Sequence, residues 1–151
     1  MSLSATDFGE FADTQIASFT PSQLAALSTT NFTAIDATGI AWLSTTQIAG
    51  LADTQLAALS DTGFANFADT QVAALSSTQI GDLSTTVIAD LTTTEIGYLA
   101  ATQIPGLTTT QIDYLTTANI SAMSTTQIAG FTQDQVDSMD SEQQYAYILA
   151  S

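Results

Sequence analysis

Asp134, Asp137, Asp140 and Glu142 form the densest group of acidic side chains in this chain. Clustered carboxylate oxygens suit a hard cation such as Ca²⁺. No EF-hand loop or glycine-rich nonapeptide accompanies them, so a charged, solvated chain end is the stronger reading. The 15 carboxylates are the only side chains that carry charge at neutral pH, because the sequence has no Lys, Arg, His or Cys. Nucleophilic and acid–base catalysis usually draw on His, Cys or Lys. A carboxylate pair alone serves glycoside hydrolysis, but the other acids are scattered and no aromatic-lined acidic cluster is visible. The expectation is a protein that is not an enzyme and needs no cofactor.

Two other sets of residues could make a binding surface. Thr46, Thr54, Thr62, Thr70, Thr78, Thr86, Thr94, Thr102 and Thr110 recur every eighth residue. An ordered row of hydroxyls and methyls could bind ice or a repetitive polymer. The plainer reading is that each hydroxyl bonds neighbouring backbone and ties one coil of the chain to the next. Trp42, Tyr98 and Tyr114 share another position of the same eight-residue period. They are candidates for a sticky patch along one side, or for isolated rings that fill grooves.

Net charge narrows the partners. At −15 the chain has no cation with which to displace counterions from phosphates, so nucleic-acid binding is excluded. Anionic membrane surfaces are disfavoured for the same reason. No apolar run approaches the roughly 20 residues of a membrane span, and the start lacks the pattern of a cleavable signal peptide. Self-association or another protein is the expected partner. An acidic mimic of DNA that sequesters a basic protein is a further alternative.

The elements that carry these residues follow from one repeat. Leu43-Ser44-Thr45-Thr46-Gln47-Ile48-Ala49-Gly50 typifies it, and stepping in eights from Leu3 to Tyr147 meets 19 positions that are all apolar or aromatic. We number each octad from that residue. Position six is apolar as well, from Phe8 to Val136, and fails only at Gln144. Eight residues at about 100° each overshoot two helical turns by roughly 80°, so one continuous helix could not keep both columns buried. A helix that restarts in every octad can. Position two is Ser, Thr or Asp in 14 of 18 octads, as an N-cap requires. Gln at position five completes a capping box, and positions one and six become the two halves of a hydrophobic staple.

Thr20-Pro21 fits this register, because proline is harmless at the first helical position. Ala12, Ala52 and Ala68 replace the cap, and each is followed by Asp, which complements the helix dipole. Ile104-Pro105-Gly106 resists it: proline at position seven removes a donor and disfavours α geometry at Ile104. The fold expected is therefore all-α, a solenoid of very short capped helices, one per octad. A β-solenoid is the rival, since Thr and Ile favour strands. Against it, positions one and six have opposite parity and cannot both be buried by one straight strand. The array is expected over residues 1–131 with a minimal N-terminal cap. Residues 132–151 are expected to form a capping helix of the same domain with a more polar outer face.

Runs such as Leu43–Gly50 and Leu107-Thr108-Thr109-Thr110-Gln111-Ile112 resemble the Thr/Gln-rich octapeptide arrays of large secreted or surface-associated bacterial proteins. The resemblance covers nearly the whole chain. It implies an extracellular or cell-surface protein exported without a cleavable N-terminal signal, the alternative being a cytoplasmic one. A structural role follows from that reading: a spacer, stalk or filament-forming rod. The chain offers trypsin no cleavage site, which suits a protease-rich setting.

Overall fold

A computed structural model describes residues 13–151 of the chain. The first octad and the start of the second, with the expected N-terminal cap, lie outside the described residues. From there on the molecule is an all-α solenoid of 16 short helices in regular succession, and no strand occurs among the described residues. The β-solenoid alternative is thereby set aside.

The helices run in order as α1 (Asp13–Ile16), α2 (Pro21–Ala25), α3 (Thr29–Phe32), α4 (Ala37–Ala41), α5 (Thr45–Ala49), α6 (Asp53–Ala57), α7 (Asp61–Ala65) and α8 (Asp69–Val72). They continue as α9 (Ser77–Gly81), α10 (Thr85–Asp90), α11 (Thr93–Ile96), α12 (Thr109–Ile112), α13 (Thr117–Ala122), α14 (Thr125–Ile128), α15 (Gln133–Ser138) and α16 (Ser141–Ala150). Each begins at position three of its octad, because from α2 onward position two is an extended N-cap. Ser44, for example, has φ −70° and ψ 157°, and its Oγ accepts the Gln47 N–H at 3.3 Å. In return Gln47 Oε1 accepts the Ser44 N–H at 2.8 Å. Where alanine takes the cap, the aspartate after it compensates: Asp53 Oδ1 accepts the Thr54 N–H at 2.7 Å and Asp69 Oδ1 the Thr70 N–H at 2.6 Å.

Helices end without a left-handed residue; no described residue has positive φ. The last bond is a tightened one, from the position-one N–H to the position-six carbonyl, as in Leu51 to Ile48 at 3.1 Å. Extended geometry at the following cap then turns the chain. Five or so helical residues cannot hold themselves together in water, so burial must do it. Positions one and six supply nearly all of the core, with Leu24, Ile48, Leu56, Ile80, Ile96, Ile104, Ile112 and Ile120 wholly buried.

The octad containing Pro105 departs from the rule as its sequence requires. Ala100 offers no cap hydroxyl, and the octad forms turns and a 3₁₀ segment, Ile104–Gly106, in place of an α-helix. Its Gly106 is needed for close packing, since a Cβ there would sit 1.8 Å from the Ser77 carbonyl oxygen of the neighbouring coil. Toward the C-terminus the array outlasts the boundary expected from sequence. Residues 133–138 form one more ordinary repeat helix, and the closing helix is α16 alone. Its outward side carries Tyr145, Ile148 and Leu149, 65–69% exposed, so that face is apolar where a polar one was expected.

Candidate functional site: a glutamine ladder between coils

Position five carries the main chemistry of the interior. The glutamine Oε1 is engaged by the cap of its own octad, which leaves an amide group with two hydrogens inside a nearly dry stack. Gln71 shows where they go. Its Oε1 accepts the Ala68 N–H at 2.9 Å, while Nε2 donates to the carbonyls of Ile40 and Leu43, both at 2.8 Å. Those carbonyls lie 31 and 28 residues earlier, at the end of one octad and the start of the next. One side chain thus caps its own helix and clasps two octads of the coil before it.

The clasp recurs with little change. Gln55 reaches Leu24 and Leu27, Gln103 reaches Val72 and Leu75, and Gln111 reaches Ile80 and Leu83. Gln127, Gln135 and Gln143 do the same to Ile96 and Leu99, Ile104 and Leu107, and Ile112 and Leu115. Gln47 and Gln79 bond the same junctions through carbonyls 28 and 30 residues back. Asn119, one methylene shorter, keeps only the 28-residue contact, to Leu91. All ten of these side chains are buried, and no buried side-chain N or O among the described residues lacks a partner. A position-one carbonyl has left its helix and would be orphaned in the core; the amide of the next coil satisfies it.

A span of 28 residues is three and a half octads, so successive coils are staggered by half an octad, like bricks. Each helix sits over a joint of the coil before it. That stagger decides which residues share a side. Trp42 and Tyr98 are 56 residues apart, twice the 28-residue clasp spacing, whereas Tyr114 comes only 16 residues after Tyr98. Trp42 and Tyr114 are about half exposed. Tyr98 is half-buried and lines a shallow cleft with Asp69, Thr70, Ala73 and Gly97.

The candidate threonines Thr46, Thr54, Thr62, Thr70, Thr78, Thr86, Thr94, Thr102 and Thr110 are all exposed. They do not tie coils together as the plainer sequence reading had it. The single side-chain bond of the set is local, from Thr62 Oγ1 to Asp61 Oδ1 at 3.3 Å. The tie is the position-five amide, which sequence reasoning had seen only as half of a capping box.

The terminal acids are spent on helix ends. Asp140 caps α16, its Oδ1 accepting the N–H groups of Glu142 and Gln143, both at 2.8 Å. Asp137 accepts from Gln133 Nε2 at 2.7 Å, and Asp134 and Glu142 lie in the first turns of α15 and α16. Among the described residues no three carboxylates converge as a metal site would need. A groove of about 570 Å³ runs beside α13 and α16, lined by Thr117, Ser121, Tyr145 and Leu149 among others. No helix among the described residues is long and apolar enough to cross a membrane. Comparison of the chain with protein-family models, curated proteins and solved structures returns no match.

Proposed function

We propose that the protein is a structural rod: a non-enzymatic solenoid that serves as an extracellular or cell-surface spacer, or as the subunit of a filament. The observation that carries this reading is the ladder of position-five amides. Each coil is fixed to the one before it by charge-free, buried hydrogen bonds, so the interior is devoted to keeping the stack together, and the chemistry of the core goes into length. The exposed Tyr145, Ile148 and Leu149 on the last helix supply an apolar contact for self-association. The resemblance to secreted octapeptide arrays supports the location outside the cell.

Sedimentation over a wide concentration range, with electron microscopy of the same samples, tests the filament form. Concentration-dependent growth into thin fibres is the expected result, and a monomer at every concentration removes it. Antibody labelling of intact cells tests the location, with labelling only after permeabilisation as the contrary outcome.

A second reading draws on the exposed threonines that recur once per octad from Thr46 to Thr110, read as an ordered lattice of hydroxyls. Such a lattice is suited to ice or a repetitive polymer. A thermal-hysteresis measurement decides it, and no effect at high concentration ends it.

A further inference from the structure

The ladder is interrupted on one side of the rod. Position five is Gly63, Val87 and Glu95 in three octads near the middle of the chain, and none of these side chains has an N–H to give. By the 31- and 28-residue spacing of the full clasps, as at Gln71, Gly63 stands over the carbonyls of Phe32 and Ile35, Val87 over Leu56 and Leu59, and Glu95 over Phe64 and Phe67. Glu95 keeps the capping half of the motif, its Oε2 accepting the Thr92 N–H at 2.8 Å, but it reaches no carbonyl of the previous coil. Two cavities lie at these gaps. One, of about 160 Å³, is lined by Phe32, Ile35, Leu59, Gly63 and Asn66. The other, of about 290 Å³, is lined by Asp61, Thr62, Phe64, Val87, Leu91 and Glu95 among others.

The other side of the same coils is intact. Gln71 and Gln79 clasp across the first junction, and Gln103 and Gln111 across the second. The second junction is the more lopsided, with two adjacent octads unclasped on one side and two clasped on the other. We infer that this is a one-sided hinge: the coils open and close along the Val87–Glu95 side, pivoting on the Gln103–Gln111 side, and give the rod a preferred bending direction at mid-length. The local free energy of opening is lowest where hydrogen bonds are missing and packing is incomplete. This holds whatever the rod connects.

The chain has no native cysteine, so paired spin labels can be placed cleanly on the full-length protein. Thr62→Cys with Thr93→Cys spans the unclasped side; Thr78→Cys with Thr109→Cys spans the clasped side at the same sequence separation, and all four sites are exposed. Pulsed electron–electron distance measurements should show a broad distribution for the first pair and a narrow one for the second. Glu95→Gln, which supplies the missing amide with no change of shape, should narrow the first pair and leave the second unchanged. Amide exchange around residues 62–67 should slow about tenfold in the same variant. Val87→Gln added to it should narrow the first pair further if that variant folds by circular dichroism. Asp90 also lines the larger cavity; Asp90→Asn removes its charge without adding a clasp and should leave the first pair broad. Equal widths for the two pairs in the unaltered chain overturn the hinge. So does an unchanged first pair in Glu95→Gln, or equal narrowing by Asp90→Asn.

Discussion

Residues 99–146 and residues 56–95 are built from the same octad, and their interiors are held differently. In the C-terminal stretch every position five is an amide: Gln103, Gln111, Asn119, Gln127, Gln135 and Gln143 each reach the preceding coil. In the middle stretch only Gln71 and Gln79 do so. The apolar columns distinguish the two regions little: positions one and six are buried in both, except toward the C-terminal end, where Phe131 and Val136 are half-buried and Gln144 is polar. The same is true of most caps. Hydrophobic burial therefore accounts for collapse of the stack as a whole, while the amide ladder sets how tightly each coil is fixed to its neighbour. The octad of Pro105 makes the point sharply. It has no α-helix and no cap hydroxyl, yet Gln103 donates to Leu75 at 2.6 Å and to Val72 at 2.8 Å, and the coil stays in register.

The comparison is broken most severely by placing the chemistry of Glu95 inside the clasped region. Gln127→Glu keeps the cap acceptor but turns the donor that faces Ile96 and Leu99 into an acceptor. Glu95 is tolerated because it is half-exposed; Gln127 is buried and has no such outlet. At neutral pH the variant should lose about 3–5 kcal/mol, the range for an uncompensated buried charge. Burial and the facing carbonyls raise the folded-state pKa of the new carboxyl above its unfolded value. The deficit relative to the unaltered chain is therefore smallest below about pH 4, where the group is protonated in both states, and opens as pH rises. Urea denaturation of both proteins at pH 3.5 and pH 7 checks it, and an equal deficit at both would contradict the donor's role.

Removing the clasp without adding charge is the next largest change. Gln111→Ala takes the amide donor from the Ile80 and Leu83 carbonyls, of which Ile80 keeps the Leu83 N–H, and leaves the Thr108 N–H without its acceptor, for a cost of about 2–3 kcal/mol. Hydrogen exchange should show the loss concentrated at the junction of α9 and α12, because a solenoid feels damage through nearest neighbours. A loss below about 0.5 kcal/mol would mean that water satisfies these groups in the open coil.

Much of this was legible before any coordinates. The octad register, the cap at position two, the two buried columns and the exceptional octad of Pro105 all follow from residue types at fixed spacing. These are local effects that act within eight residues. The long-range half of position five was not legible. A glutamine that caps its own helix looks fully explained, and only the coil length shows that its remaining two N–H groups meet carbonyls 28 and 31 residues away. The signal that pointed to it was the preference for Gln over Glu at position five, since both complete a capping box but only Gln has donors left. Coil length itself is set by how the columns pack in three dimensions, which an eight-residue period does not encode.

Caps act within one octad, and their loss should be smaller and independent of the ladder. Ser124 Oγ accepts the Gln127 N–H at 3.3 Å and donates to Gln127 Oε1 at 2.9 Å. Ser124→Ala should cost about 1 kcal/mol. The Ala68 octad already lives without that hydroxyl, its Gln71 clasp intact. The chemical shifts of the Ile96 and Leu99 carbonyls, which report the clasp, should stay unchanged in Ser124→Ala. If they move as they do in Gln127→Glu, cap and clasp are one unit rather than two.

The smallest expected effect comes from completing the ladder where it is one bond short. Asn119 reaches Leu91 at 2.8 Å but not the Ile88 carbonyl that a glutamine would meet 31 residues back. Its Oδ1 still accepts the Thr116 N–H at 3.0 Å, so the cap is complete and only the second donor contact is missing. Asn119→Gln adds one methylene and, by the geometry of its neighbours, one neutral hydrogen bond, for a gain of about 0.5–1 kcal/mol. The site is also buried and closely packed, so the added methylene competes with that bond for space. The sign of the measured change decides between them. A rise in the urea midpoint says that hydrogen-bond completion limits how firmly coils are joined in the C-terminal stretch. A fall says that the coil above Leu91 is spaced for asparagine, and that packing, not the amide count, fixes the distance between coils there.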